Sequence, residues 1–451
     1  MSSTRQQIKL GLSMRGLGYH AGAWRLPDVP PGGAMDFRHY LNVTRLAESG
    51  KFDMVFLADG IGIRGRDEPA GALCRSNQNA ELEPLTLLSA LAPMTQHIGL
   101  VATASTTYNE PYHIARKFAS LDHISNGRAG WNVVTSWSEA EARNFNRDKH
   151  PEYDFRYSRA QEFMEVVNGL WDSWEEDAFL HDRQAGVFYD PDRLHTLNHK
   201  GEHFSVRGPL SVARTPQGRP IIVQAGASDQ GRELAAATAD IVFAAQQDLA
   251  TACAYYASIK DRLPRYGRSP EHVKIMPGLV AITGRTGQEA RDKYERLQEL
   301  IDPLVGLATI FGQMGDLSGY PLDGPVPDIT DPAMRSRAHL MLDLARRNNY
   351  TIRQLYLAVA AGRGHRVVIG SPTEIVDAME EWVEAGAADG FNIIPATLPG
   401  GIEDFIALVV PELQRRGMFR TEYEGSTFRE NLGVPEPVNR YTAARAAEDA
   451  A

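Results

Sequence analysis

The sequence predicts an α/β chain folded as a (β/α)8 TIM barrel with insertions. Three observations carry that prediction. Short apolar stretches alternate with helix-forming stretches along the chain, and eight of them read as strands. Polar residues gather just after those strands, at the carboxyl ends where a parallel barrel keeps its ligands. The competing architecture, a doubly wound sheet, needs a glycine fingerprint after its first strand, and Gly16-Leu17-Gly18-Tyr19-His20-Ala21 lacks the third glycine.

Taken in order, Ile8 to Met14 is the first strand, followed by a glycine-rich loop with His20 and Trp24. Asp36 to Ser49 has helical spacing, stopped by Gly50. Asp53 to Ala58 is the second strand and ends in Asp59. Gly60-Ile61-Gly62-Ile63-Arg64-Gly65 matches the dinucleotide pattern, but the charged, proline-containing residues after it do not open a helix. Glu83 to Met94 is helical, with Pro84 in its first turn. Ile98 to Ala102 is the third strand, tipped by Thr103, Ser105, Thr106 and Thr107. A helix from Pro111 to Ser125 leads into the fourth strand, where Trp131, Val133 and Val134 flank Asn132. Glu139 to Phe145 is a short helix, and a long one runs from Tyr153 to about Trp174.

Phe179 to Gly218 is a polar insertion carrying His195, His199 and His203. Glycine and asparagine between the histidines argue against one helical face, and no Cys or carboxylate completes a metal set. The fifth strand, Pro220 to Gln224, leads through Gly226, Ala227 and Ser228 to an alanine-rich helix. Ile241 to Ala244 and Lys274 to Ile282 are the sixth and seventh strands, with a helix from Leu249 to Tyr266 between them. Glu289 to Leu300 is helical, Asp302 to Asp331 reads as an excursion from the core, and Pro332 to Arg347 is helical again. Ser371-Pro372-Thr373-Glu374 is a capping box opening a helix through Ala385. Phe391 to Ile394 is the eighth strand, Ile402 to Arg416 the last core helix, and Tyr423 onward a polar tail. The organisation expected is one unit over 1–451, with insertions at about 60–82, 179–219 and 284–366.

Composition narrows the function. The chain has 451 residues, 43% hydrophobic and 23% charged, an ordinary globular balance. A net charge of -10 argues against nucleic acid or an anionic membrane as partner. Cys74 and Cys253 make no disulfide framework, the amino terminus lacks the apolar core of a signal peptide, and no apolar run spans a bilayer. The expected compartment is the cytoplasm. There is no GxSxG elbow, Walker lysine, HExxH or CxxC, so a cofactor is the expected carrier of the chemistry. Asn132, an amide inside an apolar strand, is either a hydrogen-bonded core residue or a ligand contact. Ser228 sits where a helix cap belongs. It either caps its own helix or helps hold a phosphate against the free amides there.

The stretch Leu121-Asp122-His123-Ile124-Ser125-Asn126-Gly127-Arg128-Ala129-Gly130-Trp131-Asn132-Val133-Val134-Thr135-Ser136 resembles the flavin-dependent monooxygenases of the bacterial luciferase-like superfamily. The similar branch is that of the nitrilotriacetate, EDTA, dibenzothiophene sulfone and long-chain alkane monooxygenases. The resemblance recurs at Gln224-Ala225-Gly226-Ala227-Ser228, at Asp154-Phe155-Arg156-Tyr157 and at Gly386 to Ile393. It implies an oxygenase that activates dioxygen with reduced FMN and oxidises a small sulfone, amine, aminopolycarboxylate or alkane. It implies Asp59, Thr103 and Asn132 near the flavin ring or ribityl chain, Tyr153 and Tyr157 beside it, and Ala227 and Ser228 at its phosphate. The family pattern carries His where this chain has Tyr153, and His150 lies three residues earlier as an alternative. His20 and Asn132 are the candidate catalytic residues, with Trp24 and Gln78 as further substrate contacts. The Gly386–Ile393 segment reads as scaffold. Partners implied are a separate NAD(P)H:flavin reductase and a second or further copies in a homodimer or homotetramer. A deazaflavin-dependent dehydrogenase and a non-catalytic flavin-binding module are the competing readings of the same barrel.

Overall fold

The computed structural model describes residues 7–63, 67–136, 138–327 and 335–449. Eight parallel strands close a barrel: β1 Lys9–Ser13, β2 Met54–Leu57, β3 Gly99–Ser105, β4 Ala129–Val134, β5 Ile221–Gln224, β6 Ile241–Ala244, β7 Lys274–Thr283 and β8 Gly390–Ile393. Each pairs with the next, and β8 returns to β1 with Leu10 opposite Phe391. Helices follow the strands and cover the outside, which is why most outward residues of the strands are apolar. Leu10, Leu12, Val55, Leu100, Trp131, Ile222, Val242 and Leu279 join one large core with those helices. The inward set, Met54, Phe56, Val101, Ile221, Val223, Ile241 and Met276, forms a separate core inside the barrel.

That inner core is completed by the end of the chain. The expected polar tail holds only for the exposed helix Arg440–Asp449, and the residues before it turn back into the barrel. Thr427 and Glu430 make a capping box, and the short helix Phe428–Leu432 drives Phe428 and Leu432, both 0% exposed, against the inward strand residues. The glycines make room for it: a Cβ on Gly99 would lie 2.7 Å from the Phe428 ring. A capping box and apolar residues four apart outweigh the polar composition around them.

The stretch after β7 also departs from expectation. Asp302 caps a helix, Pro303–Met314, with Pro in its first turn, and a second helix, Ile352–Gly362, follows a capping box at Thr351 and Gln354. Most of the Gly and Pro residues suggesting an irregular excursion lie after Met314. These helices and Arg335–Asn348 share their own core, including Leu307, Ile310, Leu342, Leu355 and Tyr356. Gly306 is required there, since a Cβ would sit 2.4 Å from the Tyr356 ring. A further strand, Arg366–Gly370, then pairs with Leu279–Thr283, extending β7 beyond the barrel wall. At Gly50 the turn out of the first helix is made by Lys51, at φ 63, while Gly50 itself leaves space for Ile406. No described helix is long and apolar enough to cross a membrane.

Candidate active site

β4 is organised by which residues face out. The Trp131 indole packs among Phe118, Phe163 and Trp171 and donates to the Ala104 carbonyl at 3.0 Å. Alternation therefore turns Asn132 into the barrel. Its Nδ2 donates to Thr103 Oγ1 at 2.8 Å, and the Thr103 hydroxyl donates to the Leu57 carbonyl at 2.7 Å. This relay fixes the amide and leaves Oδ1 buried without a partner. Buried polar atoms are rarely left so, and an orphan held in place marks a position for a ligand or water. Asn392 on β8 is a second case: it is 0% exposed, and neither amide atom has a partner. The Gly386–Ile393 segment was expected to be scaffold. Phe391 and Ile393 are, but Asn392 faces inward.

Around the rim, Asp59, Thr103, Ser105, Ser136 and Glu141 line a cavity of about 390 Å³. Ser136 is held at φ 58, a region L residues seldom adopt, and such strain concentrates at functional sites. Its hydroxyl lies 2.8 Å from Ser105 Oγ, and Arg156 donates to its carbonyl at 2.7 Å. Glu141 accepts from the Ile61 amide at 3.3 Å, which ties the loop after β2 to this rim. Glu141 had no motif around it and was not foreseen.

Beyond β4 lies the end of β5. Gly226 crosses Gly231 so closely that a Cβ on Gly226 would be 2.6 Å from the Gly231 backbone. Ala227 is exposed at the tip. Ser228 does cap the helix Asp229–Thr238, accepting from the Gly231 amide at 3.2 Å. It also lies 3.4 Å from the Tyr157 hydroxyl, which comes from the helix Tyr153–Trp171. The cap and the ligand role are compatible, because one serine oxygen leaves other first-turn amides unbonded. The Tyr153 ring lies tilted against that of Tyr157, at 4.7 Å between centroids. His150 instead meets Tyr108 through Nδ1 at 2.7 Å. Gln224 points outward to Thr238, at 2.7 Å.

His20 is 2% exposed, with both ring nitrogens engaged. Nδ1 accepts from the Gly22 amide at 3.1 Å, so Nε2 carries the proton and donates to Gln298 at 3.0 Å. Burial pushes its pKa down to about 4, and the ring is neutral. It pins the loop after β1 to the helix Gly287–Glu299. Trp24 is exposed on that loop, while Gln78 bonds Arg15, Tyr19 and Arg363. The three insertion histidines diverge: His195 bonds Glu175, His199 bonds Glu162 and His203 bonds Ser158. Another histidine, unremarked in sequence, enters the mouth. His365 stacks on Phe243 at 5.3 Å, and its Nδ1 is buried without a partner. Gly278 admits it, since a Cβ there would be 2.4 Å from Nδ1.

Orphaned interior amides beside a capped helix amino terminus give the carboxyl mouth of this barrel the makings of a ligand site. Comparison with known proteins gives the class its name. The model of the luciferase-like monooxygenase family matches residues 17–389. The chain is 52% identical to N-acetyl-S-(2-succino)cysteine monooxygenase of Bacillus subtilis (strain 168), over 98% of this chain and 100% of that one. It is 51% identical to nitrilotriacetate monooxygenase component A of Aminobacter aminovorans, over 96% and 98%. The crystal structure of DmoA from Hyphomicrobium sulfonivorans superposes with a TM-score of 0.87 at 33% identity, covering 98% and 95%. The chain belongs to the luciferase-like monooxygenase family and is a flavin-dependent oxygenase.

Proposed function

We propose that this chain is the oxygenase component of a two-component system, taking reduced FMN from a separate NAD(P)H:flavin reductase and oxidising a small organic substrate with dioxygen. The observation that carries the reading is the adjacency of two features across one strand pair. Asn132, with its orphaned oxygen, pairs with Val223 on β5, and β5 leads directly to the Ser228 cradle. A phosphate at Ser228, Ala227 and Tyr157 would leave a ring within reach of Asn132, Thr103 and Asp59. When bound, the flavin supplies the activation of dioxygen. The chain's own residues orient it, exclude water and offer Asn132 as a fixed hydrogen-bond acceptor. Tyr153 takes the place beside Tyr157, and His150 serves the rim through Tyr108. His20 is left out of the reacting groups because its two nitrogens are already used. Assembly as a homodimer or homotetramer, and a cytoplasmic setting, belong to the same proposal.

The test is reduced-FMN affinity under anaerobic conditions. Ser228→Ala and Tyr157→Phe should each raise Kd by about tenfold to a hundredfold, the worth of one hydrogen bond to a charged group, with the fold retained and Ser228→Ala costing about 1 kcal/mol of stability as a lost helix cap. Parent-like binding by both variants would place the phosphate elsewhere. Product formed at full rate from NADH without added reductase would contradict the two-component reading.

A further inference from the structure

The strand register sorts the barrel interior into layers. In a closed eight-stranded barrel the four side chains of one layer come from alternate strands. Starting at Asn392 on β8, the pairings run to Gly11 and Met54, and two residues on from Met54 is Phe56. Phe56 pairs through Val101 with Gly130, two residues before Asn132. Asn132 pairs through Val223 with Ile241, two residues before Phe243. Phe243 pairs with Met276, and Gly278, two residues on, pairs with Asn392. Phe56, Asn132, Phe243 and Asn392 therefore form one layer, with the two asparagines on opposite walls. The Phe56 and Phe243 rings meet across the barrel at 5.4 Å between centroids.

The two walls are furnished differently. The Asn132 amide is fixed by Thr103 and belongs to the flavin side of the proposed site. The Asn392 amide has no partner at either atom, and its strand partners, Gly11 and Gly278, have no side chains. A Cβ on Gly11 would lie 2.8 Å from Asn392 Oδ1, and one on Gly278 would lie 2.4 Å from His365 Nδ1. The amide and the imidazole thus fill adjoining space that two glycines leave open. His365 reaches it through two successive residues at positive φ, Arg363 at 49 and Gly364 at 92. For Arg363 that conformation is strained, and such strain collects at functional sites. The His365 ring lies nearly parallel to Phe243, 18° between planes, with Nδ1 buried and unpartnered. Burial holds the ring uncharged, its pKa lowered to about 4. His365 also lines a cavity of about 930 Å³ between the barrel and the inserted helices, with Met341, Leu344 and Val359 among its walls. An uncharged imidazole beside a carboxamide brings donor and acceptor together without a charge.

We infer that Asn392 and His365 hold the molecule being oxidised, by a neutral group of it that both donates and accepts hydrogen bonds, on the wall opposite Asn132. The inference rests on the oxygenase reading for its chemistry, but the holding is measured apart from it. The full-length protein is titrated with N-acetyl-S-(2-succino)cysteine, whose amide both donates and accepts, and with dibenzothiophene sulfone, whose oxygens only accept. The first should bind the parent more tightly than the second. His365→Phe keeps a ring on Phe243 and removes both nitrogens. It should weaken binding of the first probe by about tenfold or more, as should Asn392→Leu. The melting temperature of flavin-free His365→Phe should be retained or rise, and its Kd for reduced FMN should stay within about twofold of the parent. His365→Asn places an amide where Nδ1 stood and should recover part of the loss. In turnover with reductase-supplied flavin, His365→Phe should raise KM for the first probe and leave kcat within about twofold, as loss of uniform binding requires. Parent-like binding by both His365→Phe and Asn392→Leu, a preference for the sulfone, or no binding of either probe overturns the inference. A lowered melting temperature together with lost FMN binding in His365→Phe marks a packing role and overturns it too. A parent that holds the first probe through His365 yet neither binds reduced FMN nor takes up oxygen overturns the oxygenase reading and leaves the pair standing.

Discussion

At the amino-terminal end of the barrel, Phe428 and Leu432 fill the space beneath Val101, Ile221 and Met276, and buried charges there are paired. Asp53 accepts from the Leu10 amide at 2.7 Å and is bridged to Arg420, and Asp240 accepts from the Ile222 amide at 2.9 Å and meets Arg429 at 2.9 Å. At the carboxyl end, by contrast, Asn132 Oδ1, both amide atoms of Asn392, Thr283 Oγ1 and His365 Nδ1 are buried without partners. The orphans inside the barrel gather toward its carboxyl mouth, while at the other end Asp122 Oδ2, Thr215 Oγ1 and Gln217 Oε1, around the start of β4, also lack partners. An unmade hydrogen bond costs about 1–3 kcal/mol, so a row of them persists where a ligand completes it. The difference separates the half of the barrel that stabilises the fold from the half that binds.

The largest expected effect lies at the sealed end. Phe428→Ala removes a ring that is 0% exposed and surrounded by strand residues, and should cost about 3–5 kcal/mol. Denaturant unfolding checks the loss, and reduced-FMN affinity of the folded fraction should stay within about twofold. A variant of parental stability that has lost FMN would break the comparison, because the plug would then be serving the site.

How much of this was legible in sequence follows the same division. The strands and most helices announced themselves through apolar alternation and caps, and Ser228 through a glycine before it and a helix after it. The plug was hidden by the charged residues around it, although Thr427 and Glu430 were the cue. The helix Pro303–Met314 was masked by the glycines and prolines that follow. Glu141, Asn392 and His365 could not have been found. Each owes its place to the closure of the barrel or the return of an insertion, and neither leaves a local pattern. His20 was legible as a polar residue in a pocket loop, but only the fold shows that Gly22 and Gln298 consume its nitrogens.

One carboxylate at the sealed end is an instructive exception. Asp122 is fully buried, its Oδ1 accepting from the Ala129 amide at 2.9 Å and Gln217 at 2.6 Å, while Oδ2 has no partner. Burial is the main cause that raises its pKa to about 6. The folded state therefore holds a proton that the unfolded chain has released. Stability from this group is complete below the unfolded value near 3.9 and is lost as pH rises through about 6. Two units correspond to about 3 kcal/mol at neutral pH. Asp122→Asn keeps the accepting oxygen and removes the titration. The variant should match the parent near pH 4 and exceed it by up to about 3 kcal/mol near pH 7.5. Parallel curves for the two proteins would show that Asp122 stays ionised or protonated throughout.

The smallest expected change in stability is at the open mouth, and it is the one that most sharpens the comparison. Asn392 is as buried as Phe428, so burial alone predicts that replacing it will cost a similar amount. Its environment predicts otherwise. Gly11 makes room for it, since a Cβ there would lie 2.8 Å from Asn392 Oδ1, and no protein group bonds the amide. Asn392→Leu keeps nearly the same volume and removes two desolvated polar atoms. Stability should be unchanged or rise by about 1 kcal/mol, while reduced-FMN affinity or turnover falls. Thermal unfolding and anaerobic flavin titration on the same preparation give both readings. A loss of 2 kcal/mol or more would mean that the amide is satisfied in the folded protein, as by an ordered water, and that this position belongs with the sealed end.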